Sequence, residues 1–377
     1  MVMQAVNWNI DILYHVVAQL EPQDLANAAR VCKIWLPILR SQLYRHIIID
    51  SRAKHAHTLG ARLLMHEELR NLVRHLTLRH MFGTNDWLKP IVEWIFLLPE
   101  RSLNSVDVEM SDRESFVLLF DCASIRTTSH MKIRQRWILH EDPERAAAVL
   151  ANPHLQNLSI YTNDLPAPQG DLHLQRLSLA ADDMPIALPR VLEIIDVSTP
   201  LRRFDLHLTT QPTEAAVVDL VRALARHGPT LTRLAISSGE RFGMAPFMDD
   251  LIFSLSSVRW LCCPYGSYTP SLLFRIPETL HTLVLLWGID GSTLIRDPHG
   301  MGYIAGPRPG NVPFPSEEVC SVLSRLSSRG KLSLKRLVVA LPEVVRHKCE
   351  AVAEACSAAG IQFQRVRMSH HVLGIMD

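Results

Sequence analysis

A short unit, apolar-x-x-apolar-x-apolar, returns along most of this 377-residue chain and constrains its fold more than any other feature. It reads Leu155-Leu158-Ile160, Leu174-Leu177-Leu179, Leu201-Phe204-Leu206 and Leu231-Leu234-Ile236, then Val258-Leu261-Cys263, Leu280-Leu283-Leu285 and Leu334-Leu337-Val339. Between the middle residues the intervals are 19, 27, 30, 27, 22 and 54. The last is twice 27, as if one unit near 303–314 had lost its pattern. Two weaker copies precede the series, Val73-Leu76-Leu78 and Leu103-Val106-Val108. The last two apolar residues of each unit stand two apart, so they share one face of a short strand. One unit cannot bury that face alone, and stacked neighbours bury it together.

The segments between units read as returns. Residues 213–227 place Ala216, Val217, Leu220, Val221 and Leu224 on one helical face, with Thr213 as cap and Gly228-Pro229 as stop. Ser316, Glu317 and Glu318 open a second helix that turns Val319, Val322, Leu323 and Leu326 inward before Gly330, and early acids suit the helix dipole. Residues 343–359 form a third through Val345, Cys349, Val352, Ala353 and Cys356, closed by Gly360 ahead of a last strand at Ile361-Gln-Phe363. The fold class expected is α/β. An irregular leucine-rich-repeat solenoid occupies residues 51–377, a curved parallel sheet with helices and loops on its convex side. A doubly wound open sheet shares the strand–helix alternation, and the recurrent Leu-x-x-Leu-x-Leu favours the solenoid.

Residues 1–50 carry a different pattern. Ile12, Leu13, Val16, Val17 and Leu20 recur at helical spacing, and Glu21-Pro22 breaks the run. Asp24 is placed to cap a second helix with Leu25, Ala28, Ala29, Cys32 and Trp35 on one stripe, and Pro37 sits where a third begins. Asp11, Ile12, Val16, Leu20, Pro22, Asp24, Leu25, Val31, Cys32 and Trp35 stand at the spacing of an F-box. The segment resembles that family, and the chain as a whole looks like the divergent F-box-like proteins of fungi. Trp8-Asn9 replaces the family's Leu-Pro, a dipeptide that touches the adaptor there.

The resemblance implies a substrate-recognition subunit of a cullin–RING ubiquitin ligase, docked on a Skp-type adaptor through Trp8, Ile12, Leu20, Pro22, Leu25, Val31 and Trp35. It also implies a non-enzymatic role without cofactors. The other reading is a repeat scaffold whose N-terminal helices only cap the array.

Composition sets limits. With 39 basic and 38 acidic residues the formal charge is +1, which gives no global footprint for nucleic acid or an anionic membrane. No apolar run approaches the ~20 residues of a membrane span, and no secretory leader is visible. Seven scattered cysteines read as reduced thiols of cytoplasm or nucleus.

Features with a catalytic look dissolve on inspection. The glycine-rich stretch 300–310 contains Pro307 and Pro309, which remove two of the N–H groups a phosphate cradle needs, so 290–315 reads as a long surface loop able to carry binding residues. His370-His371 lacks companion metal ligands, and Lys132, Arg134 and Arg136 alternate along a basic strand edge. At Cys262-Cys263 the pleat turns Cys263 inward and Cys262 out. Arginine recurs just before the central apolar residue of the units, and its planar fork suits recognition of carboxylates and phosphates. Arg176, Arg203, Arg233, Arg259, Trp260 and Arg336 are therefore the candidates for contacting an unknown target protein.

Overall fold

In a computed structural model the described residues are 10–31, 33–81, 85–110, 118–134, 143–161, 167–168, 170–181, 184–208, 212–238, 246–287, 314–328, 333–342 and 349–368. The chain divides into two compact units, Met1–Leu155 and Gln156–Asp377.

The first unit opens with three helices, α1 (Ile10–Val17), α2 (Pro22–Val31) and α3 (Leu36–Arg45). Pro22 begins α2, where its missing N–H costs nothing, so Asp24 falls in the first turn and does not cap it as expected. Pro37 lies in the first turn of α3 as the sequence indicates. The chain passes from α3 directly into β1 (His46–Asp50) and continues through α4 (Ala56–Met65), α5 (Glu67–Arg70), β2 (His75–Met81) and α6 (Asn85–Val92). β3 (Ser105–Met110), α7 (Ala123–Arg126), β4 (His130–Arg134) and α8 (Pro143–Leu150) complete it. These strands pair in parallel and in chain order, β1–β2–β3–β4.

The second unit contains β5 (Asn157–Tyr161), β6 (Arg176–Ala181), α9 (Met184–Val197), β7 (Arg203–Leu208), α10 (Glu214–His227) and β8 (Arg233–Ser238). It continues with α11 (Met248–Leu251), β9 (Trp260–Cys263), β10 (Thr282–Leu286), α12 (Ser316–Ser328), β11 (Arg336–Pro342), α13 (Glu350–Ala358) and β12 (Gln362–Met368). Here too every neighbouring pair from β5 to β12 is parallel and sequential. That order decides between the two expectations. A doubly wound sheet reverses its strand order at a switch point, whereas an array that keeps one direction and one hand of crossover puts every return on the same face.

The repeated apolar triplets are the register marks. Leu177, Phe204, Leu234, Leu261, Leu283 and Leu337 lie side by side across the second unit and are fully buried. β10 pairs directly with β11, Leu283 opposite Leu337, so no further strand stands between them in the sheet; of the lost unit expected near 303–314, all but Phe314 lies outside the described residues.

A second regularity lies at the strand entrances. Thr199, Thr230, Thr279 and Ser333 donate their hydroxyl protons to the carbonyls of Leu174, Leu201, Val258 and Leu280, each one turn back. Ser257 does the same to Pro229. Buried carbonyls at the turn are thereby satisfied, and each turn is stitched to the one before.

The returns follow helix chemistry. Thr213 caps α10 by accepting from the Ala216 N–H at 3.3 Å, and Val217, Leu220 and Leu224 are buried as expected. Gly228 ends it in right-handed conformation, so backbone freedom is not what requires glycine there. A Cβ at Gly228 would lie 2.0 Å from the Ser254 carbonyl oxygen, and close approach between turns excludes any side chain. Gly360, at φ +70°, does use the left-handed region to leave α13. The expected start of that helix at 343, Gly330, Arg136, residues 290–313 of the expected 290–315 loop and His370-His371 lie outside the described residues.

Candidate docking surfaces

Two surfaces carry the candidate residues, and the first is the N-terminal module. Its core is small: Leu13 and Val17 of α1, Leu25 of α2, and Ile38 and Leu39 of α3, with Leu20, Ala28, Ala29, Trp35 and Leu43 packed against them. The expected apolar stripe of α1 is split. Leu13 and Val17 face inward, while Ile12 (52 % exposed) and Val16 (44 %) face out; Tyr14, on another side of α1, and Ile34, in the turn before α3, are exposed too. A stripe spanning two adjacent helical rows exceeds what so small a core covers, so half of it stays uncovered.

Of the adaptor-contact candidates, Ile12 and Pro22 are exposed, and Leu20 and Trp35 pack on the module core. Leu25, at 6 % exposure, lies in the module's core. Val31 ends α2, and Trp8 lies outside the described residues. Tyr14 and Ile34 were missed. Tyr14 lies off the apolar stripe of α1, and Ile34 sits in the turn before α3, where helical periodicity gives no signal.

The second surface is the face of the second unit's sheet opposite the buried leucine row. Arg176, Arg203, Arg233, Trp260, Thr282, Arg336 and Gln362 form a single row across it, each opposite the next. Five of the six target-contact candidates therefore come together, and Arg259 lies one residue earlier, at the strand entrance. The row is held from within. Arg203 Nε donates to Asp205 Oδ2 at 2.5 Å, and Arg233 Nε approaches Asp205 Oδ1 at 3.4 Å, an ion pair without hydrogen-bond geometry. The Arg233 guanidinium also stands 4.3 Å from the Trp260 ring centre, a cation–π stack. Arg336 is hydrogen-bonded to Gln364 on β12. Arg176 is exposed. In the first unit the same slot holds His46, His75, Ser105 and His130, also in register. His75 titrates below the usual imidazole range because it is half-buried, with His46 and Arg45 beside it. Lys132 of the expected basic edge is half-buried, and Arg134 pairs with Asp107 across β3 at 2.9 Å.

Toward β11 this face changes character. Ala235, Cys262, Val284, Leu286, Val338 and Ala340 form a cluster no more than 6 % exposed, with Trp260 and Val366 against it. Cys262 does lie opposite Cys263 in the pleat, but it is buried rather than outward as expected. The sequence held a sign of this. Leu283-Val-Leu-Leu286 and Leu337-Val-Val-Ala-Leu341 are unbroken apolar runs, the pattern of strands covered on both faces.

The six described cysteines are free thiols. Burial pushes Cys122 and Cys356 up to about 12, which keeps them protonated and unreactive at neutral pH. Among the described residues no group of three His, Cys, Asp or Glu is placed to hold a metal ion, and no helix is long and apolar enough to cross a membrane.

A helical module with an uncovered apolar edge, followed by a parallel strand–helix repeat array, defines a protein built for docking. Residues 10–50 match the F-box-like family, and that span covers α1–α3 and β1. The chain thus carries an F-box-like domain, a module associated with adaptor docking in ubiquitin ligases. No curated protein matches the chain.

Proposed function

We propose that this chain is the substrate-recognition subunit of an SCF-type cullin–RING ubiquitin ligase, acting in cytoplasm or nucleus. The N-terminal module docks on a Skp-type adaptor through Ile12, Val16 and Ile34, with Trp8, Leu20, Pro22, Val31 and Trp35 at or near the contact. The repeats hold a target protein against the row Arg176, Arg203, Arg233, Trp260 and Arg336. The chain performs no chemistry and uses no cofactor; holding the target beside the ubiquitin-charged enzyme raises its effective concentration. Neither a membrane nor nucleic acid is a partner. The observation that carries this is the F-box-like match over residues 10–50, on helices that leave large apolar side chains exposed.

The test is calorimetric titration of the full chain with a purified Skp-type adaptor. Ile12→Asp with Val16→Asp abolishes binding while circular dichroism stays unchanged, because both side chains are on the surface. Leu25→Asp is unsuitable as a docking variant, since it breaks the module's core. Trp8-Asn9 in place of Leu-Pro supports a second reading, a repeat scaffold without ligase association. A folded chain that ignores the adaptor establishes that alternative.

A further inference from the structure

Arg202, Thr232, Arg259, His281 and Lys335 occupy the position two before the central apolar residue in β7 to β11. They form one continuous row along the entrance rim of the sheet. Each backbone N–H donates to the carbonyl of the residue before it in the row, at 2.8 to 2.9 Å. Cations therefore stand on alternate strands, Arg202, Arg259 and Lys335, and all three are exposed.

Their chemical state differs from that of the neighbouring row. Arg203 and Arg233 are engaged by Asp205, and Arg336 by Gln364. Arg202, Arg259 and Lys335 form no ion pair among the described residues, and no carboxylate shares their row. Glu278 is the nearest acid to the Arg259–Lys335 stretch in sequence; it is exposed and pairs with neither.

Between Arg202 and Arg259 the surface sinks into an open groove of about 340 Å³ lined also by Thr230, Thr232, Ser257 and Thr279. These hydroxyls are polarised in one sense. Thr230 donates to the Leu201 and His227 carbonyls, Thr232 to Arg202, Ser257 to Pro229 and Thr279 to Ser256 and Val258. With their protons committed, they present only acceptor lone pairs to the groove. The groove thus offers guanidinium donors for carboxylates and hydroxyl acceptors for N–H groups.

The geometry points to a partner of defined form: an acidic peptide segment in polyproline II conformation, with an Asp or Glu at every third residue, lying across this rim. Cations on alternate strands are about 9.6 Å apart along the sheet, two strand spacings. Three residues of a polyproline II helix advance about 9.3 Å and return to the same face. An extended β segment fails this match, because its residues i and i+3 point to opposite sides. A polyproline II backbone makes no hydrogen bonds of its own, so its N–H groups are available to the hydroxyls. A DNA strand has no hydrogen-bond donors along its backbone and an RNA strand has only its 2′-hydroxyls, and the chain's net charge of +1 gives either no long-range attraction. The inference stands whether or not the N-terminal module meets an adaptor.

The test is fluorescence anisotropy of the full chain with fluorescein-labelled (Glu-Ala-Pro)4. Two control peptides are (Gln-Ala-Pro)4 and a block peptide of the same composition with its four glutamates adjacent. The periodic peptide binds at least about tenfold tighter than either control. Arg202→Gln and Arg259→Gln each weaken it about tenfold, the scale of a lost charge-assisted pair. Arg222→Gln, an exposed arginine of α10 that belongs to neither row, leaves it within about twofold. Three results overturn the inference: no binding, equal binding of the block peptide, or equal loss with Arg222→Gln. Displacement of the peptide by a twelve-residue oligothymidylate at matching concentration does so as well, since it marks a general anion surface.

Discussion

The helices of residues 10–45 and the strands β8 to β11 treat apolar residues in opposite ways. In the first region Ile12, Tyr14, Val16 and Ile34 are between 44 and 73 % exposed, whereas the strands bury the leucine row on one face and Ala235, Cys262, Val284, Leu286, Val338 and Ala340 on the other to 6 % or less, with Trp260 half-buried beside them. The first region has more apolar surface than its own core absorbs, and the second has little left over. Large apolar side chains left in solvent are candidates for contact with a partner; on these strands what remains for a partner is the row at the strand starts, Arg233, Trp260 and Arg336.

Phe204→Ala is the largest expected blow to the sheet. Its ring is fully buried in the central row, and its removal costs about 3–5 kcal/mol by urea unfolding. His227→Ala follows. Its Nδ1 accepts the Leu201 N–H at 3.2 Å, so Nε2 carries the proton and donates to the Ile195 carbonyl at 3.0 Å. Loss of the ring strands both groups and costs about 1–3 kcal/mol. Burial holds the His227 pKa below 6.5, so its contribution is complete above that value and declines as pH falls through the unfolded pKa toward the folded one. Stability measured from pH 7.5 to 5 drops less in His227→Gln than in the parent. Gly228→Ala drives a methyl into the Ser254 carbonyl and costs about 1–3 kcal/mol by the same assay.

A gentler probe is acid titration of the first unit. Asp50 is held at about 2, first by its hydrogen bond from Arg52 and also by His80. Its contribution is complete above about 3.8 and disappears as pH falls through 2, so Asp50→Asn flattens the acid limb of the stability curve. Ile12→Ser is the smallest, within about 0.5 kcal/mol of the parent, as for other surface changes. A loss comparable to that of Phe204→Ala would break the contrast, because it would place Ile12 in a core.

Much of this was legible beforehand, and for a physical reason. Leu-x-x-Leu-x-Leu fixes both strand position and register, because only one pairing lines up the buried rows. Thr213 and Gly360 announced their helix ends through their own chemistry. Orientation around a helix was harder. Ile12 and Leu13 are equally apolar, and only the size of the α2–α3 surface decides which is covered. The buried second face is not part of the repeated triplet: its signal lies in the intervening Val284 and Val338, which the Leu-x-x-Leu-x-Leu pattern leaves unspecified. That Arg203 and Arg233 share Asp205 was not legible, because Arg233 stands 28 residues from Asp205 and only the pairing of β7 with β8 brings them together.

The hydroxyl stitches have a bearing on how such a chain changes over generations. Ser333 reaches the carbonyls of Pro277 and Leu280 across 56 and 53 residues of sequence, and Thr199 makes the same join to Leu174 across only 25. The fastening at the strand entrance is indifferent to the length of what lies behind it. Insertions and deletions can therefore accumulate in the returns while the spacing along the rim stays constant, which makes the array a ruler whose marks hold still as its backing is rewritten.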